Sequence, residues 1–126
     1  MKQSNEVKII NLSDYFTPRP YQLPIFDAFD RGYRRIIAVM PRRSGKDLAC
    51  WNLLIWQAMQ KPAIYWYLLP DHKQARRVIF DGKLIDGRDF LDCIPKQIIE
   101  DKNKTEMKIK LVNGSLIQIM GVRELD

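Results

Sequence analysis

The residues best suited to chemistry lie at 41–47, Pro-Arg-Arg-Ser-Gly-Lys-Asp. A Gly-Lys pair behind a hydroxyl residue in a basic turn is the composition that grips phosphate. Backbone N–H groups of the turn point inward, the N-terminus of a following helix adds partial positive charge, and the lysine ammonium reaches the outer phosphates. The elements that must position such a turn flank it. Ile36 to Met40 is an apolar run that reads as a buried strand. From Asp47 to about Gln60 the chain is apolar at most positions, too long for a strand and therefore a helix. Two positions depart from the usual spacing of Gly, four residues and Gly-Lys-Ser/Thr. Met40 stands in place of the first glycine, and Asp47 in place of the hydroxyl that ligates magnesium. A basic turn ahead of a core helix would use the same residues and bind nothing.

A second candidate lies 24 positions before Lys46, at Tyr21-Gln22. A glutamine amide carries a donor and an acceptor side by side and can read the edge of adenine, while an aromatic such as Phe16 or Tyr21 stacks on the base. The alternative is a helix-capping Gln beside a packed Tyr. The downstream Gly-Lys turn is what favours the base-contacting role.

Composition narrows the class. A chain of 126 residues, 46% apolar, supports one domain with a real core and excludes disorder. No apolar run is long enough to span a bilayer, and Met-Lys-Gln-Ser-Asn-Glu at the start is not a secretion signal. Cys50 and Cys93 are unpatterned, so reduced thiols are expected, and with the single His72 they make no metal site. The net charge of +6 suits a polyanion. Arg31, Arg34, Arg35, Arg42, Arg43 and Lys46 cluster with no acid among them, which serves a nucleotide, a nucleic-acid backbone or plain solvation equally.

Around the two motifs the chain divides into elements. Residues 1–15 are expected to form an N-terminal arm. Pro18 and Pro20 hold the next stretch extended, and Ile25, Phe26, Ala28 and Phe29 recur at helical spacing up to Gly32. In the long helix the tryptophans are core residues, since apolar side chains on every face imply burial on more than one side. Ala63 to Leu69 is expected as a second buried strand, followed by Asp71 as the N-cap of a helix with Ala75, Val78 and Ile79 on one face. Arg76 and Arg77 on or near its solvent side are weak candidates for DNA contact, against an ordinary solvated basic face. Residues 82–97 look like a loop around Phe90 and Leu91. Alternation on both sides of Asn113-Gly114, from Glu106 to Val112 and from Ser115 to Met120, marks a β-hairpin with Met107, Ile109 and Leu111 on one face and Lys108 and Lys110 on the other.

Arg19-Pro20-Tyr21-Gln22, then Met40-Pro-Arg-Arg-Ser-Gly-Lys-Asp47, then Leu69-Pro70 with Gln74-Ala75-Arg76-Arg77 resemble, in that order, the ATPase domain of large terminase subunits from tailed bacteriophages. Asn103, Glu106-Met107 and Asn113-Gly114-Ser115 resemble the stretch those proteins carry before their acidic motif, so the similarity covers roughly residues 16–121. The resemblance implies an α/β fold: an incomplete P-loop NTPase domain of the RecA/ASCE kind over residues 16–126, with a parallel sheet core and a C-terminal hairpin.

It implies ATP and Mg2+ as cofactors, Pro41, Arg42, Arg43, Ser44, Gly45 and Lys46 around the phosphates, and Tyr21 and Gln22 at the base. Lys46 and Arg42 would be the catalytic cations, and Asp47 a magnesium ligand, directly or through water. The implied partners are double-stranded viral DNA, a small terminase subunit and a portal protein. The setting would be a ring in the cytoplasm of an infected bacterium, with no membrane.

Hydrolysis also needs an acid after a long apolar strand. Neither Val78-Ile-Phe-Asp81 nor Gln97-Ile-Ile-Glu-Asp101 fits that description well. The family's acidic strand and nuclease domain are therefore expected to be absent, and ATP binding without turnover follows. Two other readings share the motifs: the front of a superfamily-two helicase, which usually keeps the first Gly and the hydroxyl after Lys, and a non-catalytic module that binds a packaging motor or another partner.

Overall fold

The computed structural model describes residues 16–40, 45–84 and 87–124. The expected arm and the loop residues Pro41, Arg42, Arg43 and Ser44 lie outside them. Leu23–Asp30 forms α1, started by Pro24 in its first turn and closed before Gly32, whose φ of +98° ends the helix. Lys46–Gln60 forms α2, Ile64–Leu69 β1, and His72–Ala75 a one-turn α3 that continues into a π-helical turn at Arg76–Phe80. Asp71 caps α3 as expected: its Oδ1 accepts the Gln74 N–H at 2.8 Å. Ile99–Asn103, Lys108–Leu111 and Leu116–Gly121 are β2, β3 and β4.

The four strands make one mixed sheet in the order β1-β4-β3-β2, with β1 and β4 parallel and the other neighbours antiparallel. The hairpin is β3–β4, in register Ile109 to Ile117, and Gly114 at φ +97° supplies the left-handed turn residue. Period-two alternation sorts its side chains as expected. Met107, Ile109 and Leu111 are buried, while Lys110 is exposed. Their core meets α2 through Trp51, Ile55 and Ala58. A smaller cluster of Phe16, Phe26 and Ala49, with Trp56 beside it, fastens the N-terminal segment to α2. The tryptophans of α2 are core residues, as expected: Trp51 is wholly buried and Trp56 packs on the Phe26 ring at 4.8 Å.

Three expectations change. Ile36 to Met40 is not a buried strand: no strand forms there, and Ile37 and Val39 are 92% and 95% exposed. A strand needs a neighbour for its N–H and C=O groups, and none of the described strands pairs with this segment. β1 forms where expected but is buried on one face only. As the first strand in the sheet order it has one edge that no strand among the described residues pairs, and Ile64, Trp66 and Leu68 on its outer face are 67%, 56% and 42% exposed. The sheet core is accordingly mixed rather than parallel, with a single parallel pair. Within the expected loop, 82–97, the backbone is more ordered than its composition suggests. Lys83 and Asp89 form an antiparallel bridge, and 3-10 turns follow at Phe90–Cys93 and Lys96–Ile98.

Candidate functional site

The N-terminus of α2 opens into a cleft of about 720 Å³. Gly45, Lys46, Asp47 and Leu48 from the helix start line it together with Phe16, Thr17, Arg19 and Gln22 from the N-terminal segment. Gly45 is the N-cap of α2 at φ +79°, a conformation that side chains resist, and a Cβ there would lie 2.7 Å from Gln22 Nε2. The backbone conformation therefore favours glycine, and a side chain there would also push the Gln22 amide aside. Lys46 follows as the first helical residue, exposed, where the unpaired N–H groups of a 15-residue helix concentrate positive charge.

Gln22 occupies the N-cap position of α1 but does not cap it. Its Oε1 accepts the Arg19 N–H at 2.9 Å and its Nε2 donates to the Gly45 carbonyl at 3.1 Å, and the residue is 1% exposed. The amide thus braces the Gly-Lys turn against the 19–22 turn. Tyr21, half exposed, accepts a hydrogen bond from Arg19 Nη1 at 2.8 Å and does not line the cleft. Phe16, the other aromatic considered for the base, does.

Asp47 is held from the sheet. The Tyr67 hydroxyl on β1 lies 3.2 Å from both its carbonyl and its Oδ1. Burial first, and then the Asp47 charge, keep the Tyr67 phenol well above its ordinary range, so it stays a donor. Burial and the same carboxylate raise the neighbouring Cys50 thiol, with Lys46 opposing. Among the described residues, Asp47 is the only carboxylate lining the cleft. No group of three His, Cys, Asp or Glu side chains gathers as a metal site among the described residues. A cation here would need its remaining oxygens from ligand and water, as magnesium commonly arranges.

The two sequence motifs therefore meet in space: Gln22 with Gly45, Lys46 and Asp47. Arg76 and Arg77 lie elsewhere. Arg76 Nη2 donates to the Lys104 and Thr105 carbonyls at 2.7 and 3.2 Å, and its guanidinium lies over the Phe80 ring, 5.5 Å from the centroid. It ties the π-helical turn to the β2–β3 connection, while Arg77 stays exposed. Asp81 ends the π-helical turn, and Glu100 and Asp101 sit on β2, at the sheet edge opposite β1.

Lys83, Leu84, Arg88 and Phe90, which complete the cleft, were not legible as site residues. The glycines at 82 and 87, each followed by a basic residue, signal a turn, but nothing local says what the turn faces. No helix of the described residues is long and apolar enough to cross a membrane. No protein-family model, curated protein or solved structure matches this chain.

Proposed function

We propose that this chain is the front part of a DNA-packaging ATPase of the large-terminase kind, an incomplete P-loop NTPase domain that binds ATP with Mg2+ at the α2 N-terminus. The observation that supports it most is the convergence of Gln22, left-handed Gly45, Lys46 and the helix N-terminus on one cleft. Lys46 carries the charge for the outer phosphates, joined by Arg42, Arg43, Ser44 and Pro41 of the preceding turn. Asp47 orders water around the phosphate-bound magnesium. Gln22 links the base side of the site to the phosphate side. Viral duplex DNA, a small subunit and a portal protein, met in a ring in the host cytoplasm, are the partners this reading entails.

Turnover needs a second carboxylate near the metal and a group that positions water. Asp81, Glu100 and Asp101 do not line the cleft. Binding without hydrolysis is therefore the behaviour expected of this polypeptide alone. The test is thermal melting with Mg-ATP. Ligand at about 100 times its Kd adds about 2.7 kcal/mol of stability, a shift of several degrees. Lys46→Ala is expected to abolish that shift, and an undiminished shift in the variant would remove the proposal.

A second reading, a non-catalytic module that binds a partner, is favoured by the exposed Ile64, Trp66 and Leu68 on β1, one edge of which has no strand neighbour among the described residues, and by the exposed Ile37 and Val39. Co-purification with packaging proteins in the absence of any ATP-induced melting shift is the result that would select it.

A further inference from the structure

Asp47 and Tyr67 are 20 positions apart and meet where the start of α2 passes β1. Among the described residues, the Tyr67 hydroxyl is the only group that bonds the Asp47 side chain. It stands 3.2 Å from Oδ1 and 3.2 Å from the Asp47 carbonyl, long for O–H···O and in keeping with one proton shared between two acceptors. The phenol reaches this point from a fixed base. Tyr67 is in register with Ile119 in the parallel β1–β4 pair. Its ring stands edge-on to that of the wholly buried Trp51, with centroids 5.6 Å apart at an angle of 81°. Sheet and core therefore hold the backbone and the ring, and the hydroxyl ends at the first turn of α2. Tyr67 itself does not line the cleft that Asp47 lines.

A carboxylate in the first turn of a helix needs no tyrosine to be stable there, since the helix N-terminus already favours its charge. What the hydroxyl adds is direction. An exposed aspartate side chain turns freely about its rotatable bonds, and a bond to Oδ1 narrows that motion. Among the described residues Oδ2 accepts no hydrogen bond, which leaves it as the oxygen open to a cation or to its water. Carboxylates that ligate metals are commonly oriented by such outer hydrogen bonds, and losing the partner lowers metal affinity about 10- to 100-fold. We infer that Tyr67 is a positioning residue for the magnesium of the nucleotide site, acting through Asp47 and touching neither metal nor nucleotide. This rests on the Mg-ATP reading above and adds to it the strand residue on which the metal depends. A plain tie between β1 and α2 would use the same atoms, but its loss would weaken ATP at the α2 N-terminus equally with metal and without.

The full chain is titrated calorimetrically with ATP in Mg2+ and, separately, with ATP in EDTA, and the ratio of the two affinities measures what the metal adds. Tyr67→Phe, checked by melting to be folded, keeps the ring and its contact with Trp51 and removes only the hydroxyl. It is expected to cut that ratio about three- to tenfold, below the usual range because the lost bond is long and shared, and to leave the affinity in EDTA unchanged. Asp47→Asn is expected to remove most of the ratio, and Tyr67→Phe added to it to change nothing further. A ratio untouched by Tyr67→Phe would overturn the inference, as would equal weakening in Mg2+ and in EDTA, the mark of a plain tie. So would a further drop in the double variant, because Tyr67 would then act by a route other than Asp47. Wild-type chain that binds ATP with no gain from Mg2+ also overturns it, while leaving a metal-free nucleotide site standing. Wild-type chain that binds ATP in neither buffer removes the nucleotide-binding reading itself, and the role of Tyr67 with it.

Discussion

At the scale of single residues, the chemistry depends on which atoms are already engaged. A glutamine near a phosphate-binding turn suggests contact with a base, yet here both amide atoms bond to backbone and the side chain is 1% exposed. Gln22→Ala deletes a buried brace and leaves the Arg19 N–H and the Gly45 carbonyl short of a partner, at about 1–3 kcal/mol. The expected outcome is a lower melting temperature and, in calorimetric titrations, a parallel loss of affinity for ATP and for tripolyphosphate, since what loosens is the Gly45 turn on which the proposed phosphate site rests. A loss confined to ATP, measured in the same titrations, would show that Gln22 reads the base directly.

Among elements, the hairpin turn does more than reverse the chain. Asn113 Nδ2 donates to the Ala58 carbonyl at 2.8 Å, and its Oδ1 accepts the Ser115 N–H at 3.0 Å. Ser115, wholly buried, donates to Ala58 O at 2.7 Å and accepts the Ala63 N–H at 3.3 Å. The C-terminal carbonyls of α2, which have no partner within the helix, are thus capped by the β3–β4 turn, and the entry to β1 is fixed by the same hydroxyl. This fastening aligns α2 with the sheet at the end remote from Lys46. Ser115→Ala is expected to destabilise the chain by about 1–3 kcal/mol in urea unfolding with the denaturant slope unchanged. A loss below a few tenths of a kcal/mol would mean that water or Asn113 replaces the hydroxyl.

For the molecule as a whole, the decisive feature is what the sheet leaves open. Among the described residues β1 presents an edge with no neighbouring strand and an outer face bearing Ile64, Trp66 and Leu68, and Ile37 and Val39 are likewise exposed. Edges of this kind invite pairing with other chains unless a charge interrupts them. Trp66→Lys is expected to lower concentration-dependent association in sedimentation velocity while leaving the melting temperature of dilute protein nearly unchanged. The substituted side chain points away from the α2 core. Association that is indifferent to the lysine would place the sticky surface elsewhere.

Local patterns determined a good deal of this protein. Alternation around Asn113-Gly114 specified the hairpin, apolar residues on almost every face specified an α2 whose Trp51, Ile55 and Ala58 enter the core, and Asp71 specified a cap. These follow from short-range stereochemistry and from the helical and strand periods, which a sequence displays directly. What the tertiary structure alone decided concerns partners distant in the chain. The Gln22 amide settled on Gly45 rather than facing open space, Arg88 and Leu84 joined Phe16 in lining one cleft, and Arg76 turned to the Lys104 carbonyl rather than to solvent. The same distinction explains why Ile36–Met40 is apolar without being a buried strand. Hydrophobic composition states that a segment would gain by burial, but a strand exists only where another backbone lies within hydrogen-bonding distance, and that is a property of the assembled fold.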